Sequence, residues 1–110
     1  MKVQLAAGSV RLRVTRAEFD GLRAGAGLTL ALDMPGGGWR VDVAPAPAVS
    51  ISLAAGHLVI GIPSVDLEEL HGRLPAREGL RWQIDAEGGP IALVFEVDIR
   101  DRPRAAAPPR

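Results

Sequence analysis

Val3-Gln4-Leu5-Ala6-Ala7-Gly8 returns 48 residues later as Ile51-Ser52-Leu53-Ala54-Ala55-Gly56, and this pair decides the fold. The same offset lays Val10, Leu12 and Val14 on Leu58, Ile60 and Ile62. It also lays Glu18-Phe19-Asp20 on Asp66-Leu67-Glu68, and Leu22 on Leu70. With four residues inserted, the match continues at an offset of 52. Gly27-Leu28 falls on Gly79-Leu80, and Leu30, Leu32 and Asp33 fall on Trp82, Ile84 and Asp85. Gly36-Gly37 falls on Gly88-Gly89, and Trp39, Val41 and Val43 fall on Ile91, Leu93 and Phe95. Apolar phase, turn glycines and helix positions register under one gap. The chain reads as an internal duplication, with copies at about 3–44 and 50–98. Pro45-Ala46-Pro47 reads as a short extended linker between them.

Each copy reads strand, turn, strand, helix, strand, turn, strand. Val10, Leu12 and Val14 alternate with Arg11 and Arg13, the period of a strand with one buried face. Leu28/Leu30/Leu32 and Trp39/Val41/Val43 repeat that pattern, as do their second-copy counterparts through Ile99. Val59, Ala92 and Val94 add apolar residues on the other strand face, which suits a sheet covered on both sides. Gly8 and Gly56 supply positive φ for tight hairpins. Met34-Pro35-Gly36-Gly37-Gly38 and Glu87-Gly88-Gly89-Pro90 read as the second pair of hairpin turns. The glycine run is no P-loop, because no Lys-Ser/Thr follows it and no helix begins there.

Thr15-Arg16-Ala17-Glu18 predicts a capping box that opens a two-turn helix burying Phe19 and Leu22. Pro63-Ser64 opens a second helix over 65–74 with Leu67, Leu70 and Leu74 on one stripe, ended by Pro75. The expected fold class is mostly β (α+β), with about eight strands and two short helices. The expected core is Leu12, Val14, Phe19, Leu22, Leu30, Leu32, Val41, Ile60, Ile62, Leu67, Leu70, Trp82, Ile84, Leu93 and Phe95. Arg11, Arg13, Arg40 and Asp42 are expected to be exposed. The alternative architecture is a plain β-sandwich with helices at its ends.

The chain has 110 residues, which suits a single domain, here 1–101. Residues 102–110, rich in Pro and Ala, read as a disordered tail. There is no Cys, so thiolate metal sites, a disulfide scaffold and a Cys nucleophile are excluded. Thirteen Lys+Arg balance thirteen Asp+Glu, which argues against a generic polyanion binder. No apolar run approaches the ~20 residues of a membrane span. The opening Met1-Lys2-Val3-Gln4-Leu5 lacks the apolar stretch of a secretory signal. A cytoplasmic location is expected.

Two resemblances follow. Gly8-Ser9-Val10-Arg11-Leu12-Arg13-Val14-Thr15, then Glu18, resembles the opening of a family of small bacterial proteins of unassigned activity. Phe95-Glu96-Val97-Asp98, then Arg102-Pro103, is similar to that family's ending. Gly56-His57-Leu58-Val59-Ile60-Gly61-Ile62-Pro63, then Leu67-Glu68-Glu69-Leu70, resembles the swapped-hairpin barrel of transition-state regulators and MazE-type antitoxins. That fold draws hairpins from two chains, so two copies in one chain imply a single-chain barrel of that type. The Asn of the family's Gly-Asn-Ser is absent from both copies, and Ser64 stands where Lys usually follows Pro.

Candidate chemistry is sparse. Ser9, Ser64 and Thr15 read as turn or cap residues, and no Gly-x-Ser-x-Gly elbow occurs. His57 and His71 lack ligand spacing. Glu68-Glu69 and Glu78/Asp85/Glu87 read as solvated charges rather than a tuned acid–base pair. No catalytic residue, metal site or cofactor is expected, and the chain reads as a non-enzyme.

Arg11, Arg13 and Arg16 are the candidate phosphate-pairing residues of an alternative, DNA-binding reading. Residues 1–45 carry net charge +2 and residues 46–100 net −4, and Val59 and Gly61 replace Arg11 and Arg13 in the second copy. DNA binding is therefore expected to be poor. The favoured reading is a non-catalytic protein-interaction or structural module, a monomer or weak homodimer. Neither the partner's identity nor a membrane role is encoded.

Overall fold

A computed structural model describes residues 1–98. Ile99 and the expected tail, 102–110, lie outside the described residues. The elements are β1 (Lys2–Ala6), β2 (Ser9–Val14), α1 (Arg16–Arg23), β3 (Leu28–Met34) and β4 (Gly37–Ala46). β5 (Ser50–Ala54), β6 (His57–Pro63), α2 (Ser64–Arg73), β7 (Leu80–Ile84) and β8 (Ile91–Val97) follow. The protein is mostly β, as the alternating runs predict. No helix among the described residues is long and apolar enough to cross a membrane.

Two four-stranded sheets form, ordered β1-β2-β8-β7 and β3-β4-β6-β5. Each takes one hairpin from either half of the chain. The inner pairs, β2 with β8 and β4 with β6, are parallel, and the hairpin pairs are antiparallel. The sequence offsets reappear in the register. Leu12 lies beside Phe95 as Ile60 lies beside Val43, and Leu80 beside Phe95 as Leu28 beside Val43. Among the described residues the sheets do not close into a barrel. β1, β7, β3 and β5 are sheet edges, so two open sheets stand where the swapped-hairpin resemblance implied one barrel.

Neighbours in register share a sheet face. Inward rows in the first sheet are Val3-Leu12-Phe95-Leu80 and Leu5-Val10-Leu93-Trp82. In the second they are Ile51-Ile60-Val43-Leu28 and Leu53-Leu58-Val41-Leu30. These rows meet Phe19, Leu22, Leu67 and Leu70 of the helices in one core. Phe19 stacks on His71 and tilts against Phe95, with centroids 6.4 and 6.2 Å apart.

The helices close one end of the sandwich. β2 and β6 each run from a hairpin turn into a helix, so all four hairpin turns gather at the opposite end. Thr15 Oγ1 accepts the Glu18 N–H at 3.1 Å, and Glu18 Oε1 accepts the Thr15 N–H at 2.9 Å, the predicted capping box. The second helix begins at Ser64, one residue earlier than expected, with Leu67 and Leu70 buried. Arg23 and Glu68 tie the two helices at 2.9 Å.

Four expected core residues are corrected. Leu32 is 55% exposed. Leu30, Trp82 and Ile84 are only half-buried. All four lie on the edge strands β3 and β7, with one neighbouring strand instead of two. The Trp82 indole N–H reaches Asp66 at 3.2 Å, so this ring keeps its polar edge at the surface. Arg11, Arg13 and Asp42 are half-buried rather than exposed, because neighbouring side chains on their sheet faces cover part of each. Pro45 and Ala46 belong to β4 rather than to a linker. β3 ends opposite Val43, so Pro45 sits where β4 has lost that neighbour and a missing N–H breaks no ladder.

Candidate functional site

The hairpin end holds an apolar cleft of about 370 Å³ between the sheets. Leu5, Val10, Ile84 and Ile91 line it from one sheet, and Trp39, Ile51, Leu53 and Leu58 from the other. The cleft follows from the row pattern. Both sheets carry apolar side chains inward along their whole length, but helices fill the gap at one end only. At the other end the facing rows have no layer above them. Leu5 and Leu53 at its mouth are 57% and 66% exposed, and Leu32 and Met34 on the neighbouring hairpin are also exposed. Asp85 and Ser52 are the polar members of the lining. The volume falls within the range of small-molecule and side-chain pockets.

The outward face of the β1-β2-β8-β7 sheet is basic. In register, Lys2, Arg13 and Glu96 form one row, and Gln4, Arg11, Val94 and Arg81 the next. Arg11 Nη1 and Arg13 Nη2 both donate to Glu96, at 3.1 and 3.4 Å. Glu96 is the only acid in these four strands, against Lys2, Arg11, Arg13 and Arg81. Lys2, Gln4, Arg11 and Arg13 frame a shallow depression of about 70 Å³. Val94, beneath the arginine stems, is buried although it points outward.

Of the three predicted phosphate-pairing residues, the strands thus bring Arg11 and Arg13 together. Arg16 lies on α1 and pairs with Asp20 at 3.3 Å. The chain-half charge split does not survive folding. Because the sheets exchange hairpins, basic β1 and β2 sit beside β7 and β8 rather than beside their own half. Lys2, Gln4 and Arg81 join the face through cross-strand register, which the sequence alone does not supply.

On the other outward face, Asp42 accepts from Thr29 Oγ1 at 2.6 Å, His57 Nε2 at 2.6 Å and Arg40 Nε at 2.9 Å. His57 is therefore paired rather than merely solvated. The Thr29 hydroxyl, then His57 and Arg40, hold the Asp42 carboxyl down to about 2. The arrangement is not a nucleophile relay, since the hydroxyl donates to the carboxylate and not to the imidazole. The folded value lies below the ordinary 3.8. The contribution of Asp42 to stability is therefore fully present above that value and is lost as pH falls through about 2. Thr29→Val raises the Asp42 midpoint in an NMR carboxyl titration. A wild-type midpoint near 3.8 would contradict the hydrogen-bonded cluster.

No protein-family model, curated protein or solved structure matches the chain.

Proposed function

We propose that the chain is a non-catalytic interaction module that binds through the apolar cleft at its hairpin end. The supporting observation is the coincidence of a 370 Å³ apolar cleft with four exposed apolar side chains at the same end. Contiguous exposed apolar surface around a concavity marks a binding site. The occupant is a bulky apolar side chain or pair of side chains from a partner protein.

An uncharged apolar dye, N-phenyl-1-naphthylamine, tests the cleft. Wild-type protein enhances its fluorescence, and Leu53→Glu, which puts a charge in the mouth, abolishes the enhancement. Val59→Glu on the outward sheet face leaves it unchanged. Equal loss in both variants, or no enhancement by the folded wild type, would overturn the cleft as binding element.

We further propose that the two halves are duplicated copies of one swapped-hairpin unit. The matched offsets in sequence and register, and the exchange of hairpins between sheets, support this. The regulator-like reading gains support from the basic face of β1, β2 and β7. Its four cations set the expected duplex affinity. Each phosphate contact contributes a salt slope of about −0.9, so the slope is no steeper than about −4 and Kd at physiological salt no tighter than ~10⁻⁴ M. A fluorescent-duplex titration at two salt concentrations reads both quantities. Sub-micromolar binding that Arg11→Glu and Arg13→Glu abolish would favour the regulator reading over the interaction module.

A further inference from the structure

We infer that the cleft takes a cationic partner segment, one that buries a bulky apolar side chain and sets a Lys or Arg against Asp85. This rests on the cleft being the binding element. Asp85 is the only charged residue in the lining, and it is exposed, with no ion pair among the described residues. Glu87 follows on the same turn. The four hairpin turns around the mouth carry no Lys or Arg. The basic residues that flank these turns, Arg11, Arg40, His57 and Arg81, lie on the outward sheet faces, with Arg11 bonded to Glu96 and Arg40 and His57 bonded to Asp42. The mouth thus joins an apolar wall to uncompensated negative charge. A ligand with an apolar body and an anionic head would meet Asp85 and Glu87 unscreened. A cationic head gains an opposite charge at the rim without leaving water.

Three probes with one tail and different heads test this: n-octylammonium, 1-octanol and octyl sulfate, each below its micelle concentration. Trp39 lines the cleft, so its emission reports occupancy, and Trp39→Phe serves to show that the signal comes from there. All three bind wild-type protein. Octylammonium binds tightest, about threefold or more tighter than octyl sulfate, the margin of an exposed charge pair. The preference shrinks as salt is raised and disappears in the Asp85→Asn/Glu87→Gln variant, while octanol affinity is unchanged. Equal affinity for all three heads, or a preference that survives the double variant, would overturn the cationic assignment and leave the cleft standing. Absence of binding by any probe would overturn both the assignment and the cleft.

Discussion

Phe95→Ala lowers stability by about 3–5 kcal/mol, which removes roughly 12–25 °C from the melting temperature of a domain this size. Phe95 is fully buried, sits between Leu12 and Leu80 in the inward row of its sheet, and meets Phe19 beneath the helices. Removing the ring empties the junction of both helices and the first sheet. A domain of ordinary margin, about 5–15 kcal/mol, approaches global unfolding after that loss. Trp82→Ala costs less, because Trp82 is half-buried on an edge strand. Urea titrations of both variants provide the comparison. A Phe95→Ala protein within about 1 kcal/mol of wild type, or a larger loss at Trp82, would place the core elsewhere.

Gly79→Ala is the second large effect. A Cβ on Gly79 would lie 1.9 Å from the carbonyl oxygen of Phe95 and 2.9 Å from its carbon. Both are backbone atoms of the adjacent strand, so β7 must move away from β8 at the Leu80–Phe95 pair. Overpacking costs about 1–3 kcal/mol where side chains yield, and a backbone clash stands at or above the top of that range. The molecule contains its own control. Gly27 occupies the corresponding place in the other sheet, where a Cβ would meet the Val43 carbonyl at 3.4 Å. Gly27→Ala is therefore the milder of the two, and Gly88→Ala, with nothing near its Cβ, leaves stability close to wild type. A ranking with Gly27 above Gly79 would contradict the observed approach of β7 to β8.

The strands and helices were legible because each rests on local rules. Period-two alternation marks β2 and β6, the Thr15–Glu18 box opens α1, and Gly8 and Gly56 take φ values of 79° and 78° at their turns. The offsets of 48 and 52 recur in the register, but which strands pair was not legible in them. Alternation states which face is apolar, though, and not what lies opposite. Leu32 and Trp82 obey the same pattern as Leu12, yet they lie on edge strands and stay partly open. The cleft escaped for a related reason, since it is a missing layer above otherwise ordinary inward rows. Arg11 and Arg13 were legible as a basic pair on one strand, but Lys2 and Arg81 were not, because Lys2 joins them across the β1–β2 register and Arg81 only across Val94. Charge summed by chain half loses its meaning once the hairpins cross over.

Occupancy of the cleft is tested most directly with a neutral probe, which separates the cavity from its charge. In ¹H–¹⁵N spectra titrated with 1-octanol, saturable shifts concentrate at Leu5, Val10, Leu53, Ile84 and the Trp39 indole, all at the hairpin end. Phe19, Leu67 and Leu70, packed at the helix end, do not move. A spectrum unchanged by octanol, or shifts centred on the helices, would show that the gap between the sheets is not where this protein binds.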